Sequence, residues 1–460
     1  MWSSRRILVA LGGVLLGASA GVAAGLGAAG AAADGQPGQA LPPVLEATHL
    51  PPLLTAGGEA ADLRYDVYCT PGGIEEAAER ACDASGTVFV RAGDSGPFEP
   101  LPLRMDPTAV EGRYHVLVPR DLAQSAAGFS YYAVFRSPSS RVEMALPAGA
   151  GAAPERSLPL GRSVDVDLGA HAFGRTQKPD AVVASAPWGD GPDDVGLEQG
   201  RNLTPIGGSS FDVDASGRIS LLDEAHKRLL RWDAKDSSPA SLPLAIDGTL
   251  ADLAVGGDRR LYVLESTDPA QKPLLREFGP DGSALGSVES SERASQVRMG
   301  ANGPVLLEQP SNEWMQAGAA NTLLPPSAQA KSGRSGRPAQ GGGEVVLVRR
   351  GNEIRVALTS GGNVIRSWRV TSATPIAEVQ LAEPLGKELV LVARVYSDVR
   401  DEFVVLVLGR KGLLRSFSLD SADWAETSPL ARFRLVGPSL YQLGSTPNEV
   451  FVDRFDLEAR

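Results

Sequence analysis

The stretch FDVDASGRISLLD at residues 211–223 carries the local pattern that decides the fold. A strand-like run leads to an Asp/Gly turn, and a second run of mostly apolar residues ends at Asp223. This is the pattern of two short antiparallel strands joined by a tight turn. A similar stretch, LAVGGDRRLYVLE, occupies residues 253–265, so that Val213 and Val255 lie 42 positions apart. The spacing indicates a repeated unit.

Aromatic residues that close the third strand of each unit give the number of repeats. Each follows an Arg by one or two positions, and consecutive ones are 46, 90, 49 and 38 positions apart: Trp232, Phe278, Trp368, Phe417 and Phe455. The interval of 90 holds two units, one of which has Leu323-Leu324 where the aromatic is expected. A unit of this size buries too little core to fold alone. The pattern therefore predicts a six-bladed β-propeller over residues 164–460.

A propeller also needs a strand that closes its ring. We expect the segment 164–166, Val-Asp-Val, to pair with the last blade as that closing strand. The alternative is a ring of seven blades, in which the segments 163–168 and 181–185 form part of a further blade.

The block 188–233 resembles an NHL repeat. It has Trp188-Gly189 ahead of the hairpin, an acidic residue after the hairpin, and a third strand with Arg. The resemblance is looser up to Phe278, and beyond that the spacing alone continues it. It implies a six-bladed propeller. Two kinds of propeller enzyme are therefore relevant for comparison. An amidating lyase that shares the NHL fold needs several His to bind zinc. Propeller lactonases hold calcium near the propeller axis.

A smaller all-β unit precedes the repeats. Its strand-like segments, bounded by Gly, Asp and Pro, are 63–68, 86–92, 112–118, 128–135 and 141–146. Their spacing predicts a β-sandwich over residues 61–147.

The segments 112–119 and 128–135 of this unit resemble the last strands of bacterial extracellular fibronectin-III/Ig-like modules. The resemblance implies a spacer or a binding unit without catalytic activity. Because Tyr131 and Tyr132 are adjacent, one should face the core and the other solvent. The outward one is either a platform for a ligand or an ordinary surface residue.

The N-terminal segment has the pattern of an export signal. Arg5 and Arg6 precede an uncharged run, Ile7 to Ala33, which ends in three small residues before Asp34. We predict that residues 1–33 are a cleaved signal peptide and that the protein is secreted. The alternative is an uncleaved anchor of residues 7–33 on the outer face of the membrane. Segments 34–60 and 148–163, rich in Pro, Gly and Ala, are predicted to be linkers.

Cys69 and Cys82 are the two cysteines of the chain. Outside the cytoplasm a lone pair thirteen positions apart should be oxidised, so we predict a disulfide. A zinc site would need further ligands. Two free thiols remain the alternative if the protein is not exported.

Composition limits the function classes. The chain of 460 residues is 43% apolar and 22% charged, which is typical of a packed protein and excludes a disordered chain or a polytopic membrane protein. Its net charge of −11 predicts that it does not bind nucleic acid. Gly and Pro, 52 and 34 residues, favour many short strands over helices.

Candidate functional residues are few. The histidines are His49, His115, His171 and His226, and of these only His226 lies firmly in the repeats, where turn packing is its expected role. An acidic group in a Gly/Pro turn could hold calcium or be a solvated loop: Asp190, Asp193 and Asp194. Asp212 and Asp214 share one face of a strand. One basic loop is either a flexible insertion or a contact to an acidic polymer: Lys331, Arg334 and Arg337.

Two classes of function fit these observations. The first is an exported, non-catalytic binding protein whose loops contact an extracellular protein, peptide or glycan. The second is a propeller hydrolase or lyase with an axial metal, similar to calcium-dependent lactonases. Because no catalytic motif or metal-ligand spacing is apparent, we predict the first, with no catalytic residue, metal or cofactor assigned.

Overall fold

The fold is described from a computed structural model of the chain. It covers residues 44–70, 84–105, 112–138, 141–199, 204–208, 210–233, 238–247, 251–265, 272–291, 294–308, 313–319, 322–325, 336–339, 342–425 and 432–458. Within these ranges nearly all regular structure is strand, which confirms the predicted all-β class. The segment predicted to be a signal peptide, residues 1–33, lies outside the described residues.

Ten strands form the N-terminal unit. They are β1 (Val44–His49), β2 (Leu54–Thr55), β3 (Asp62–Thr70), β4 (Ser85–Ala92), β5 (Glu99–Pro102), β6 (Arg104–Met105), β7 (Arg113–Leu117), β8 (Phe129–Ser137), β9 (Val142–Leu146) and β10 (Glu155–Pro159). A single helical turn, α1 (Arg120–Ala123), follows β7, and a 3-10 turn occupies Ala150–Ala152.

These strands make two sheets that face each other. One has the order β1-β3-β7-β6, and the other has the order β2-β10-β8-β4-β5 with β9 also paired to β8. Inward side chains alternate along β3 as Leu63, Tyr65 and Val67, and they share one core with Val88 and Phe135 of the second sheet. The predicted β-sandwich is therefore present.

The sandwich is larger than the sequence indicated. The predicted linker 34–60 contains β1, which pairs with β3, and β2. The predicted linker 148–163 contains β10, which pairs with β8 and with β2. Pro and Gly at the ends of these strands hid them. The alternating pattern of β1, with Leu45 and Ala47 buried, is the feature that the composition obscured.

Twenty-six strands follow. They are β11 (Val164–Asp167), β12 (Ala181–Pro187), β13 (Ser210–Val213), β14 (Ile219–Asp223), β15 (Arg228–Trp232), β16 (Ala240–Pro243), β17 (Ala251–Val255), β18 (Leu261–Glu265), β19 (Leu274–Phe278), β20 (Ala284–Glu289), β21 (Ala294–Gly300), β22 (Gly303–Glu308), β23 (Glu313–Gln316), β24 (Gly318–Ala319), β25 (Thr322–Leu323), β26 (Arg337–Pro338), β27 (Glu344–Arg350), β28 (Glu353–Ser360), β29 (Asn363–Thr371), β30 (Ile376–Leu385), β31 (Glu388–Tyr396), β32 (Asp401–Gly409), β33 (Gly412–Asp420), β34 (Phe433–Val436), β35 (Ser439–Ser445) and β36 (Glu449–Asp456).

Within the described ranges these strands form six antiparallel blades in chain order. Blades 1 and 2 are β13–β16 and β17–β20, and blade 3 is built on β21–β23 with the short pair β24–β25. Blades 4, 5 and 6 are built on β26–β29, β30–β33 and β34–β36. The first long strands of successive blades, β13, β17 and β21, pack side by side, as do β27, β30 and β34. β34 contacts β13, and β23 contacts β26, so that the ring is closed. The six-bladed β-propeller predicted from the repeat is confirmed.

The ring is closed by a different strand from the one expected. β12 pairs antiparallel with β36 and completes blade 6, whereas β11, which contains the segment 164–166, pairs in parallel with β29 of blade 4. Between them Thr176 bridges Ser418 on the outer strand of blade 5. Residues 164–187 thus run along the outer edges of three successive blades. We call this segment the belt. The segments 163–168 and 181–185 therefore do not form part of a seventh blade.

One aromatic marker, Phe417, and the Leu323-Leu324 pair that stands in place of an aromatic are shifted relative to the blades. Trp232, Phe278 and Phe455 lie on third strands, as expected, but Phe417 lies on the fourth strand of blade 5, β33. The third strand of that blade, β32, carries the buried Phe403 instead. In blade 3 the third strand is β23, with Trp314, and Leu323 lies beyond it in β25. The number of blades was right because each error moved a marker within its own blade.

None of the helices among the described residues is long and apolar enough to cross a membrane.

Candidate functional site

The first strands of the blades have an edge that faces the centre of the ring. Such an edge leaves backbone N–H groups without a partner in their own sheet, and each needs an acceptor. For blades 2 and 3 the acceptor is a polar side chain from the preceding blade. The Ser210 Oγ accepts a hydrogen bond from the Leu253 N–H at 3.2 Å, and the Asp212 Oδ2 accepts one from the Val255 N–H at 2.7 Å.

The same arrangement recurs one blade further on. Asp252 of β17 is almost fully buried, and its Oδ2 accepts a hydrogen bond from the Val297 N–H of β21 at 2.9 Å. Its Oδ1 accepts the Ser210 hydroxyl at 2.7 Å, so that one carboxylate ties three blades together. Successive residues of a strand point to opposite faces of the sheet, so these side chains lie between the first strands of neighbouring blades.

Two arginines neutralise the two carboxylates. Arg298 of β21 donates to the Asp252 Oδ2 at 2.5 Å, and Arg434 of β34 donates from Nε to the Asp212 Oδ1 at 3.0 Å. Arg434 also donates to the Leu253 carbonyl at 3.3 Å and lies over the Phe211 ring at 5.6 Å. We call the four charged residues, Asp212, Asp252, Arg298 and Arg434, the inner-strand cluster.

The charges of this cluster indicate a structural role. Burial, followed by the nearby charge of Arg298, lowers the pKa of Arg434, while Asp212 and Asp252 oppose the change. Two cations and two anions cancel, and each carboxylate already accepts a backbone N–H. The arrangement links blade 6 to blades 1 and 2, and blade 2 to blade 3, at the centre of the ring. Sequence analysis selected Asp212 but missed the other three, whose only signal is a charge in an otherwise apolar first strand.

A second device recurs at the end of the second strand of several blades. A buried polar side chain there binds the loop that enters the blade. Asp223 accepts the Gly196 N–H at 3.1 Å, and Glu265 accepts the Asp247 N–H at 2.5 Å. Glu308 accepts the Ser291 hydroxyl, and the Ser445 hydroxyl accepts the Ala425 N–H at 2.9 Å. The acidic residue that follows the predicted hairpin is thus an anchor for a loop.

His226 belongs to this loop anchor. Its Nδ1 donates to the buried Asp223 Oδ2 at 2.7 Å, and its Nε2 lies 3.3 Å from the exposed Asp190 Oδ1. Burial lowers its pKa, but the hydrogen bond and charge of Asp223 outweigh that effect, so that the pKa lies above its ordinary value. Arg228 donates to the same Asp223 carboxylate at 2.8 Å and to the Gly191 and Asp194 carbonyls. The expected role of His226 in turn packing agrees with these contacts.

The acidic turn at 190–194 is held by its own backbone. The Asp194 Oδ2 accepts the Gly191 N–H at 2.9 Å, while Asp190 is fully exposed beside His226. Across the described ranges, His, Cys, Asp and Glu side chains form no group of three or more that could hold a metal ion. Asp214, predicted to share a face with Asp212, caps the first hairpin by accepting the Ser216 and Arg218 N–H groups.

The two adjacent tyrosines face opposite ways, as predicted. Tyr131 is buried, and its hydroxyl donates to the His49 Nε2 at 2.7 Å, while the His49 Nδ1 donates to the Arg64 carbonyl at 2.6 Å. Burial lowers the pKa of His49 to about 4, in agreement with a neutral ring that both donates and accepts. Tyr132 points outward but stacks on Phe89 at 4.8 Å, so that neighbouring aromatics cover part of its ring.

The remaining predicted residues are dispersed. His115 lies on the outer face of the sandwich beside Asp62, and His171, in the belt, donates to the buried Glu402 at 2.8 Å. Arg337 donates to the Ala382 carbonyl at 2.7 Å, while Lys331 and Arg334 lie outside the described residues. Cys69 is near the end of β3, and Cys82 lies outside the described residues, so the disulfide stays a prediction.

The sandwich is joined to blade 4 by a packed interface. One face of that blade, with Val356 and Trp368, packs against blade 5. Its opposite face, with Val346 and Ala357, packs on Leu54 and other leucines of the sandwich. Sandwich side chains therefore complete the covering of a propeller blade.

Ion pairs and hydrogen bonds reinforce this junction. The Glu59 carboxylate, after β2, binds the guanidinium groups of Arg350 and Arg355. Burial raises the pKa of Glu59, but Arg355 and Arg350 outweigh that effect and the pKa lies below its usual range. Arg355 also donates to the Leu54 carbonyl at 3.1 Å, and the Ser367 hydroxyl donates to the Leu160 carbonyl at 2.5 Å.

A cleft of about 320 Å³ opens beside the junction. One wall is formed by residues 126–127, 156 and 158–162 of the sandwich and the segment after it, and the other by residues 362–367 of blade 4. The charged residues that line it are Arg156, Arg162 and Arg366. No pattern in the sequence indicates this cleft, because its two walls lie some two hundred positions apart in the chain.

Comparison with known proteins adds only remote likenesses. No family model and no curated protein matches the chain. Among solved structures, virginiamycin B lyase from Staphylococcus aureus is 9% identical, covers 53% of this chain and 94% of its own, and has a TM-score of 0.32. A streptogramin B lyase is 8% identical over 82% of this chain and 100% of its own, with a TM-score of 0.32. The calcium-binding regucalcin from Agrobacterium tumefaciens is 8% identical over 64% and 97%, with a TM-score of 0.33. At these values the likenesses carry no argument about chemistry.

Proposed function

We propose that the protein is an exported, non-catalytic binding protein in which the sandwich and the propeller act as one rigid unit. The observation that carries the proposal is the junction, where sandwich leucines cover a face of blade 4 and Glu59 binds two arginines of that blade. A packed apolar contact with partly buried ion pairs holds two surfaces in one relative orientation. Surfaces that are already oriented lose less freedom on binding, which favours affinity.

The assignment of each unit follows from the same proposal. We take the propeller to be NHL-like, which the loop anchors Asp223 and Glu265 support because they match the acidic position after the hairpin. We take the sandwich to be a fibronectin-III/Ig-like module, supported by its two facing sheets. Export rests on residues 1–33, and it would bring the molecule to an extracellular protein, peptide or glycan.

Binding by the mature chain, residues 34–460, to separated cell-surface fractions tests this function. The fractions are wall polysaccharide and extracted exported proteins, each titrated by surface plasmon resonance. We expect saturable binding to one of them. Glu59→Gln leaves Arg350 and Arg355 without their shared acid and should weaken that binding by at least about fivefold. Asp66→Asn is the matched control, because Asp66 forms an exposed ion pair with Arg113 in the same unit.

The same preparations also test the alternative. A panel of lactone, ester and glycoside substrates is assayed with calcium, with zinc and after chelation. Turnover that chelation abolishes would replace the binding function by the hydrolase or lyase alternative. If no fraction binds saturably, the proposal is also contradicted. It is contradicted as well if Glu59→Gln and Asp66→Asn weaken the binding equally.

A further inference from the structure

The cleft at the junction has a charge opposite to that of the protein as a whole. The chain carries a net charge of −11, yet the residues that line the cleft include three arginines and no Asp or Glu. A local positive site in an acidic protein attracts anions that the rest of the surface repels. Because the two walls come from different units, this charge depends on the junction.

Two of the arginines are held in place by the protein. Arg156 is buried, and it donates to the Asp94 carboxylate at 2.7 Å and to the Ala127 carbonyl at 3.3 Å. Arg366 is half-buried, donates to the Lys387 carbonyl and lies over the Trp368 ring at 5.8 Å. A guanidinium held in this way presents its remaining N–H groups in a fixed geometry.

The charge of the cleft is incompletely balanced. Arg156 has Asp94 as its counter-ion, but Asp94 lies outside the cleft lining. Arg366 binds a carbonyl, which accepts hydrogen bonds but carries no full charge. Arg162 is exposed at the cleft and follows Gly161, whose φ of 66° turns the chain there. Among the ion pairs between described residues, neither Arg162 nor Arg366 takes part in one.

We propose that this cleft binds an oxyanion, a carboxylate or a phosphate monoester, carried by a polar group of about the size of one monosaccharide. Planar guanidinium groups bind such oxyanions in pairs of parallel hydrogen bonds. The volume of about 320 Å³ lies at the lower end of the range for small-ligand sites. Asn363, also in the lining, adds a neutral donor and acceptor for hydroxyl groups. The inference deepens the proposed binding function by naming the chemistry that one of its surfaces recognises.

Isothermal titration of the mature chain with four probes tests this site. Inorganic phosphate and glucose 6-phosphate represent the phosphate source, glucuronate represents the carboxylate source, and glucose is the neutral control. We expect heat of binding from at least one anionic probe and none from glucose. Affinity should fall as salt rises from 50 to 300 mM, because screening weakens exposed charges.

Variants locate the site. Arg366→Gln and Arg162→Gln should each weaken the anionic probe by about tenfold, the loss of one charge-assisted contact. Arg410→Gln is the control: it makes the same charge change in the turn between β32 and β33 of the next blade, outside the cleft, and should change affinity less than about twofold. Circular dichroism of each variant shows that the fold is intact.

Several results would overturn the inference. These are no binding of any anionic probe at 10 mM, equal binding of glucose, or equal weakening by Arg410→Gln, which would indicate diffuse attraction. If the probes fail but a cell-surface fraction still binds in a Glu59-dependent manner, the cleft assignment is wrong while the binding function stands. If both fail, both are wrong.

Discussion

The sandwich and the propeller differ in how they bury apolar side chains and in how they satisfy the hydrogen bonds of strand edges. The sandwich gathers its apolar side chains into one core between two sheets. The propeller spreads them over separate clusters between neighbouring blades, and its central edges depend on polar side chains such as Asp252. The sandwich keeps a neutral histidine inside, whereas the propeller keeps paired charges. The stability of the sandwich should therefore depend on packing and on pH, and the stability of the propeller should depend on its charge pairs.

The two units can be followed separately. Five of the six tryptophans lie in the propeller and the sixth is Trp2, which the predicted cleavage removes. Tryptophan fluorescence of the mature chain therefore reports the propeller, and hydrogen exchange of peptides from β3 and β8 reports the sandwich.

Breaking the inner-strand cluster should have the largest effect. Arg434→Met leaves the Asp212 carboxylate without its cation in a buried place, which should lower the free energy of unfolding by about 3–5 kcal/mol. Urea unfolding followed by tryptophan fluorescence measures the change. The double variant Arg434→Met/Asp212→Asn should recover much of the loss, because an Asn oxygen still accepts the Val255 N–H. A double variant no better than the single one would mean that the charge pair is not the cause.

The predicted disulfide should matter next, and only in the sandwich. Reduction of Cys69 and Cys82, or Cys69→Ala/Cys82→Ala, should destabilise that unit by about 3 kcal/mol on the chain-entropy estimate. Exchange of the β3 peptides should accelerate while the fluorescence transition of the propeller stays in place. Thiol titration of the denatured, unreduced chain should find no free SH. Two free thiols would disprove the disulfide and weaken the case for export.

His49 should make the sandwich sensitive to acid. Its pKa is near 4 in the fold and about 6.5 in the unfolded chain, so the unfolded state takes up a proton first as pH falls. Stability of the sandwich should be complete well above pH 6.5 and should decrease by about 3 kcal/mol on acidification to pH 4. Hydrogen exchange at several pH values measures this slope. His49→Gln should flatten it, and the control His115→Gln, on the outer face, should not.

Asp453 should give the propeller a smaller dependence of opposite sign. Burial raises its pKa to about 6, and its Oδ1 has no hydrogen-bond partner. A raised carboxyl pKa means that the folded state binds the proton more tightly, so stability should fall as pH rises from about 4 through 6. Asp453→Asn should therefore stabilise the propeller at pH 7.5 by about 1 kcal/mol, since solvent screens part of the carboxylate, and have little effect at pH 4. Asp420→Asn, exposed at the end of β33, is the control; an equal gain there would contradict the assignment.

Most of the fold could be predicted from patterns of neighbouring residues. The hairpins at 211–223 and 253–265 were visible because alternation and turn residues are properties of neighbouring positions. Strands β1, β2 and β10 were missed because short strands flanked by Pro and Gly resemble linkers, and only their partners identify them. β11 was assigned to the wrong blade for the same reason: Val164 and Trp368, which pair, are far apart in the chain.

The candidate sites were less accessible to prediction. Asp212 attracted attention because it alternates with Asp214, but its partner Arg434 comes from the opposite end of the propeller sequence. The arginine cleft needs two units to be placed side by side before it exists. The turn contact of His226 was easier to anticipate, because its partner Asp223 lies only three residues away.

The belt determines the order in which parts of the propeller can form. β12 is synthesised before any complete blade, but its partner β36 is the last strand of the described chain. Completion of blade 6 must therefore wait for the synthesis of β36, and closing so long a loop is slow relative to hairpin formation. Until then blade 6 has an exposed edge, a state prone to pairing with other chains. A chain truncated before β36 should therefore aggregate, although it would retain five of its six blades.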